Sequence, residues 1–368
     1  MPLSVLLTHD LFPPDFRGGG EYVVLQIALG LQARAVHVQV LTTGDPTLCE
    51  HEGVVTKRLP ISRYAFNLQV RQIAAAARDA DVIHTFTYHG CLPSLVAAHL
   101  LGRPVVCGIM GLYSAAWRSM RGPVIGRAFA TWERFLISRS YDRIVFPSES
   151  SRAAGLALGA SAERSLVIHP GIDHAGLQPT GQKRGFVLFA GRFDNRKGIQ
   201  HVVAAARALP DIPFRAVGWS DELDRLRASA PPNLVIVPSR GGSTYLQALQ
   251  EASIFFFPSY AETFGITMVE AMASGCAVVS SVGTVRFAGE LVSPGDELGM
   301  IAALRRLWDD ETRTKTMGRE NQDLAAAFSW KAHIDQLLAA YGSLLDRNLS
   351  DHVALGAANR RIRPAAGK

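Results

Sequence analysis

A chain of 368 residues, 48% of them apolar and 19% charged, is too long for one ordinary core and too apolar to be disordered, so about two packed domains of roughly 100–200 residues each are expected. The net charge of +6 permits attraction to phosphates or an anionic surface, but no aromatic-and-basic RNA motif or zinc finger accompanies it, which argues against nucleic acid as a partner. Met1 to Ser4 carries no basic leader, no run approaches the ~20 apolar residues of a membrane span, and Cys49, Cys91, Cys107 and Cys276 are too scattered for a zinc site or a disulfide framework. The expectation is a cytoplasmic protein with buried thiols and no bound metal.

In chain order, short β-rich runs alternate with helical spacing, the signature of parallel α/β units. Strands are predicted at Ser4 to Leu7, His37 to Leu41, Val54 to Arg58, Asp81 to Phe86, Pro104 to Ile109, Arg143 to Phe146 and Leu166 to His169. Several are apolar throughout, as strands covered on both faces should be. Helical spacing occupies Glu21 to Gln32, Leu68 to Arg78, Leu92 to Leu101 and Val124 to Arg139. A polar stretch with Gly and Pro from His169 to Arg184 reads as the interdomain linker. A second series places strands at Phe186 to Ala190, Phe214 to Val217, Leu234 to Val237, Ile254 to Phe257 and Ala277 to Ser280, with helices between, and closes on helices starting near Asp296, Arg313 and Trp330.

Ligands of such sheets bind beyond the carboxyl ends of the strands, and three loops there carry chemistry. Gly18, Gly19 and Gly20 open the first helix, where backbone can approach a ligand and free N–H groups can meet an anion. The spacing is not that of the dinucleotide fingerprint, and a flexible turn is the plainer alternative. Gly191-Arg192 followed by Lys197-Gly198 offers a bidentate guanidinium and a point charge suited to a diphosphate, against the alternative of a solvated basic turn. The run from Pro258 to Gly275 places Glu262 before a helix and Glu270 within it, two carboxylates able to hold sugar and ribose hydroxyls, with helix-start N–H groups around Gly265 to Thr267 between them. Met268, Val269 and Met272 read as core.

With Glu262 and Glu270 in a Glu-x7-Glu arrangement behind Gly191-Arg192 and Lys197-Gly198, the chain resembles the GT-B-fold glycosyltransferases of family 4. Gly18-Gly19-Gly20-Glu21, Phe146-Pro147-Ser148-Glu149 and His169-Pro170-Gly171-Ile172-Asp173 match the family's other landmarks in order. The resemblance covers about residues 1 to 345. It implies an α/β protein of two Rossmann-like domains with parallel sheets facing a central cleft: residues 1–172 for the acceptor, 173–329 for the donor, a helix over 330–347 returning to the first domain, and a flexible basic tail over 348–368.

It further implies a retaining, metal-independent hexosyl transfer from a nucleotide-diphosphate sugar to a hydroxyl of a glycan, a lipid-linked molecule or a small molecule. The nucleotide sugar is the substrate and no cofactor is expected. Arg192 and Lys197 would neutralise the leaving diphosphate and Glu270 would hold the ribose. Glu262 and the backbone at Phe264, Gly265 and Ile266 would hold the sugar, while Gly18 to Gly20 would approach the phosphates from the other domain. A nucleotide-sugar-binding protein of the same fold with weak or lost turnover is the alternative.

Two departures bear on this. Many relatives place a His before Gly where this chain has Met110-Gly111, and a thioether cannot do the polar work of imidazole. His84 and His89, near another strand end, are candidates to compensate, against the plainer reading of structural histidines. Between Ser281 and Leu291 the family's Gly-Gly-x-Pro-Glu loop is shortened, which predicts a more open donor pocket. Finally, Tyr113 to Arg139 interleaves aromatic residues with five arginines. This reads as a core-packed helix with a solvated arginine face or as a peripheral contact with the inner membrane surface.

Overall fold

In the N-terminal half, eight strands form one sheet: β1 (Ser4–Thr8), β2 (His37–Thr43), β3 (Glu50–His51), β4 (Val54–Leu59), β5 (Val82–Phe86), β6 (Val105–Gly108), β7 (Arg143–Phe146) and β8 (Ser165–Val167). Their order is β3-β4-β2-β1-β5-β6-β7-β8, parallel except for the β3–β4 hairpin. In the C-terminal half β9 (Val187–Arg192), β10 (Phe214–Trp219), β11 (Leu234–Pro238), β12 (Ile254–Phe257), β13 (Ala277–Ser280) and β14 (Gly289–Leu291) run in the order β11-β10-β9-β12-β13-β14, all parallel. This computed structural model describes residues 2–15, 18–179, 183 and 185–361, without the side chains of Ser119 and 347–361.

The helices of the first half are α1 (Gly19–Gln32), α2 (Val70–Ala76), α3 (Cys91–Leu101), α4 (Ala116–Arg121), α5 (Pro123–Ile137) and α6 (Glu149–Ala157). Those that follow are α7 (His174–Leu177), α8 (Ile199–Ala208), α9 (Leu223–Ser229), α10 (Ser243–Glu251), α11 (Ile266–Ala273), α12 (Glu297–Asp309), α13 (Glu311–Ala325) and α14 (Trp330–Arg361). Central strands β5, β6, β12 and β13 are buried along their whole length, which is why β6 and β12 read as unbroken apolar runs rather than alternating ones.

Each sheet is covered on both faces, so each half has two cores. On one face of the first sheet, Val23, Val24, Ile27 and Leu31 of α1 meet Ile334, Leu337, Tyr341 and Leu344 of α14. The approach is close enough that a Cβ on Gly30 would lie 2.5 Å from the Ile334 side chain. On the other face, Ile73, Leu95, Leu136 and Ile137 from α2, α3 and α5 pack with Ile83 and Ile144 of the strands. In the second half Met268, Val269 and Met272 of α11 are fully buried, as their helical spacing predicts.

The structure adjusts several boundaries. The helix read over Leu68 to Arg78 is a 3-10 turn at Arg63–Leu68 followed by α2. The strand read at Leu166 to His169 is Ser165–Val167. The linker region contains α7 and an isolated bridge from Ile172 to Ser329, while part of residues 180–184 lies outside the described residues. Helix α14 runs on to Arg361, past the predicted end at 347 and into the stretch read as a flexible tail; residues 362–368 lie outside the described residues. Cys91, Cys107 and Cys276 are buried, but Cys49, expected to be, is exposed because it sits at the solvent edge before β3.

Candidate active site

The carboxyl ends of β9 and β12 build one wall of the cleft. After β9 the chain turns through Asp194, whose side chain accepts from the Lys197 N–H at 2.9 Å and ties the turn before α8. This aims the Lys197 ammonium at Glu262, to which it donates at 2.5 Å. The Arg196 guanidinium lies 3.5 Å from the same carboxylate oxygen and donates to the Ala261 carbonyl at 3.2 Å. The Glu262 side chain is 9% exposed. Burial pushes its carboxyl up, but the charges of Lys197 and Arg196 with the Lys197 hydrogen bond outweigh burial and hold it below the usual carboxylate range. Glu262 therefore stays ionised between two cations.

Arg192, half-exposed, pairs loosely with Asp194 at 3.6 Å and lies 4.7 Å from the centre of the Trp219 ring. Arg240 lies 4.0 Å from the same ring. Gly191 leaves open space beside Arg192, with nothing within 4 Å of where a Cβ would stand.

Gly265 caps α11 with φ 86°, a left-handed conformation that favours glycine, and turns the helix start toward the cleft. The first-turn N–H groups of Ile266 and Thr267 have no intrahelical acceptor there. Phe264 contributes backbone only: its ring is 3% exposed and packs on His169 and Phe328, and its carbonyl accepts from the Thr284 hydroxyl. The shortened segment after Ser281 thus folds back onto the Phe264 turn.

Glu270, one helical stretch further in, accepts from the Tyr245 hydroxyl of α10. Desolvation pushes its carboxyl up to about 7, the Tyr245 bond opposing and Asp173 adding to the rise. A ligand diol donating to this carboxylate favours the ionised form, so binding should release a proton. Affinity for a nucleotide diphosphate is expected to tighten as pH rises from 6 to 8, and to do so less in Glu270→Gln, where only the ligand's own phosphate ionisation remains. Calorimetry in buffers of different ionisation enthalpy checks it; pH-independent binding by the unaltered protein would remove Glu270 from the nucleotide site.

From the other domain, Gly18 caps α1 and Gly19 has nothing within 4 Å of a Cβ, so this turn is open to a ligand. Gly20 lies beside Met110, 3.8 Å from its Cβ to the Cβ a side chain here would have. The two walls meet at Thr263, among other contacts. The Thr263 hydroxyl donates to the Met110 carbonyl at 3.3 Å, and the Ser148 hydroxyl donates to the Thr263 carbonyl at 2.5 Å.

The two candidate histidines separate. His84 is 1% exposed, and its Nδ1 shares a 2.6 Å hydrogen bond with the Tyr341 hydroxyl of α14. The returning helix covers β5 here, so His84 is shut off from bulk solvent. With His333, it lines a cavity of about 30 Å³ behind Met110. His89 is half-buried at the end of β5, with Nδ1 accepting from Asn67 Nδ2 at 2.8 Å. Desolvation holds it below the ordinary histidine range, with Asp10 opposing and Arg63 and His9 assisting.

Sequence reasoning missed Arg196, Trp219, Arg240 and Tyr245. Arg196 lies between Gly191-Arg192 and Lys197-Gly198, next to Lys197. The others come from strand ends and helices without a local signature.

Two Rossmann-like domains meet here at a cluster of cations, carboxylates and a helix N-terminus, a charge arrangement suited to a phosphorylated ligand. Residues 17–175 match the family described as Glycosyltransferase Family 4, and residues 184–310 match that described as Glycosyl transferases group 1. The chain belongs to the family 4 glycosyltransferases.

Among similar proteins are the phosphatidyl-myo-inositol mannosyltransferase of Mycolicibacterium smegmatis, 29% identical over 94% of this chain and 95% of its own length, and the O-antigen chain mannosyltransferase C of Escherichia coli, 25% identical over 93% and 98%. Sucrose-phosphate synthase from Thermosynechococcus elongatus shares the fold with a TM-score of 0.80 at 21% identity, covering 94% of this chain and 100% of that one. HepE of Anabaena, solved in complex with UDP and glucose, does so with a TM-score of 0.76 at 20% identity, covering 93% and 100%. The fold is GT-B.

Proposed function

We propose that this glycosyltransferase moves a sugar from a nucleotide-diphosphate donor to a hydroxyl acceptor with retention of the anomeric configuration and without a metal ion. The observation that carries the reading is the ionised Glu262 held between Lys197 and Arg196 at the start of α11. Arg192, Lys197 and the helix N–H groups supply the positive field that a departing diphosphate needs, in the place a divalent cation would otherwise fill. Glu262 and the backbone from Phe264 to Ile266 hold the sugar, Glu270 holds the ribose, and the Gly18 to Gly20 turn closes on the phosphates. His89 faces the acceptor side, and His84 serves the packing of α14.

The acceptor is a glycan, a small molecule or a lipid-linked molecule, and one surface favours the last. Helix α5 exposes Val124 (80%), Ile125 (57%), Phe129, Trp132 and Phe135 beside Arg127, Arg134 and Arg139. Such a face suits an anionic bilayer, which would place the enzyme peripherally at the inner membrane. Among the described residues no helix is long and apolar enough to cross a membrane.

The test is a panel of UDP-, GDP- and ADP-sugars with polyol, glycan and lipid-linked acceptors, with and without EDTA, and product configuration read by NMR. Transfer that survives chelation and keeps the donor's anomeric configuration is expected. Loss with EDTA restored by Mg²⁺ or Mn²⁺, or an inverted product, would sink this chemistry. Cosedimentation with anionic but not neutral vesicles reads the surface assignment separately.

A further inference from the structure

Glu133 is the only acid between Ala116 and Arg139, a stretch with five arginines, yet its side chain points inward and is fully buried. A buried carboxylate is costly unless donors surround it, and here they do. The Tyr113 N–H donates at 3.0 Å, the Ser114 N–H at 2.7 Å, the Trp117 indole N–H at 3.0 Å, and the Tyr88 hydroxyl approaches at 2.6 Å. Three of the four come from the loop between β6 and the end of the first turn of α4. The loop is not relaxed: Ser114 has φ 46°, a left-handed backbone that a non-glycine residue rarely adopts. Its N–H makes the shortest of the loop's bonds to Glu133. An apolar residue would leave these four donors without their acceptor; the carboxylate that gathers them favours one loop shape.

That loop ends on the opposite domain. The Arg196 guanidinium lies 5.5 Å from the centre of the Tyr113 ring, and Arg196 in turn flanks Glu262 opposite Lys197. Met110, at the other end of the loop, receives the Thr263 hydroxyl. Two points of one loop therefore bear on the donor-side segment 261–263: Met110, whose N–H is held by the Thr87 hydroxyl at 3.0 Å, directly, and Tyr113, held by Glu133, through Arg196.

We infer that Glu133 is a positioning residue for transfer. It holds the loop from Met110 to Trp117 so that Tyr113 seats on Arg196, and this contact aligns the Glu262 and Lys197 pair and keeps water out of the closed cleft. Order on the acceptor side of the cleft is thereby joined to order on the donor side. The inference rests on the proposed transfer for its kinetic consequence, but its structural consequence stands apart from turnover.

The variants are Tyr113→Ala, Tyr113→Phe, Arg196→Lys, Glu133→Gln and the double Glu133→Gln/Tyr113→Ala. Arg196→Lys keeps a charge beside Glu262 but loses the planar guanidinium that stacks on Tyr113. Tyr113→Ala and Arg196→Lys should each lower transfer about 3–30-fold, the range of a partly buried cation–π contact. They should also raise the ratio of donor hydrolysis to transfer, with KM for the donor changed less than kcat. Tyr113→Phe, which keeps the ring, should recover most of the loss.

Glu133→Gln should show the same pattern, and the double variant should be little worse than the poorer single one. Hydrogen exchange of the UDP-bound protein reads the coupling without turnover: Glu133→Gln should speed exchange in 111–117 and in 261–266, Tyr113→Ala mainly in 261–266. Multiplying effects in the double variant, or unchanged exchange at 261–266 in both single variants, would overturn the inference. If Glu133→Gln fails to fold, Tyr113→Ala and Arg196→Lys decide it by exchange at 261–266 alone. An inactive wild-type protein with the expected exchange pattern would instead count against the proposed transfer.

Discussion

Lys197→Ala is expected to lower kcat by about 10²–10³-fold while changing KM for the donor far less. The ammonium stands 2.5 Å from Glu262 in a wall where Arg192 is free to turn from its loose 3.6 Å pairing with Asp194 toward a ligand. In the proposed reaction negative charge grows on the diphosphate as the glycosidic bond breaks, so a cation placed there is felt most in the transition state. The substitution has a second effect with its own signature. Glu262 is held ionised against burial by Lys197 and Arg196 together; with Lys197 gone the carboxyl rises, and the acid limb of the rate profile should move to higher pH. Transfer kinetics across pH 5–9 check both. A pure KM increase with kcat intact would mean that Lys197 binds substrate and transition state equally.

The second large effect concerns stability in acid. Burial holds His84 down to about 3, with His333 assisting, and holds His333 down to about 4, the His169 carbonyl partly opposing. Both are neutral in the fold and take up protons near 6.5 when unfolded. Below that pH the unfolded chain binds more protons, so stability is whole above about 6.5 and falls as pH drops toward 4. Each imidazole contributes a slope of about 1.4 kcal/mol per pH unit. Tm measured at pH 7, 6 and 5 should fall steeply, and His333→Gln should flatten the decline by about one proton's worth even if it starts lower. An unchanged slope would mean that α14 detaches before these groups titrate.

The rhythm of strands and helices and the donor wall were legible in the sequence because both are local. Apolar runs between glycine turns mark parallel strands, and Arg192, Lys197, Glu262 and Glu270 lie in two short segments whose neighbours along the chain are their neighbours in space. What escaped depends on contacts between distant segments. His84 looked like a cleft residue because it lies near a strand end, but Tyr341, 257 residues later, covers it. Glu133 carries no signal in the sequence, and only the burial of its side chain against the loop at Ser114 distinguishes it. The short strands β3 and β14, of two and three residues, carry too little pattern to announce themselves.

The packing of α14 on α1 has a consequence for synthesis. The first sheet cannot finish its inner face until Ile334, Leu337, Tyr341 and Leu344 have been made, although its own last strand ends at Val167. At ~5–20 residues per second a ribosome needs roughly 10–35 s to cover that interval. For that time Val24, Ile27 and Leu31 lack their final cover. The nascent first domain therefore waits with a greasy seam open while the second domain is being made, and a stall or a premature stop late in translation exposes that seam to chaperones or to other chains. Folding of the two halves is ordered by this arrangement, the first to be made being the last to close.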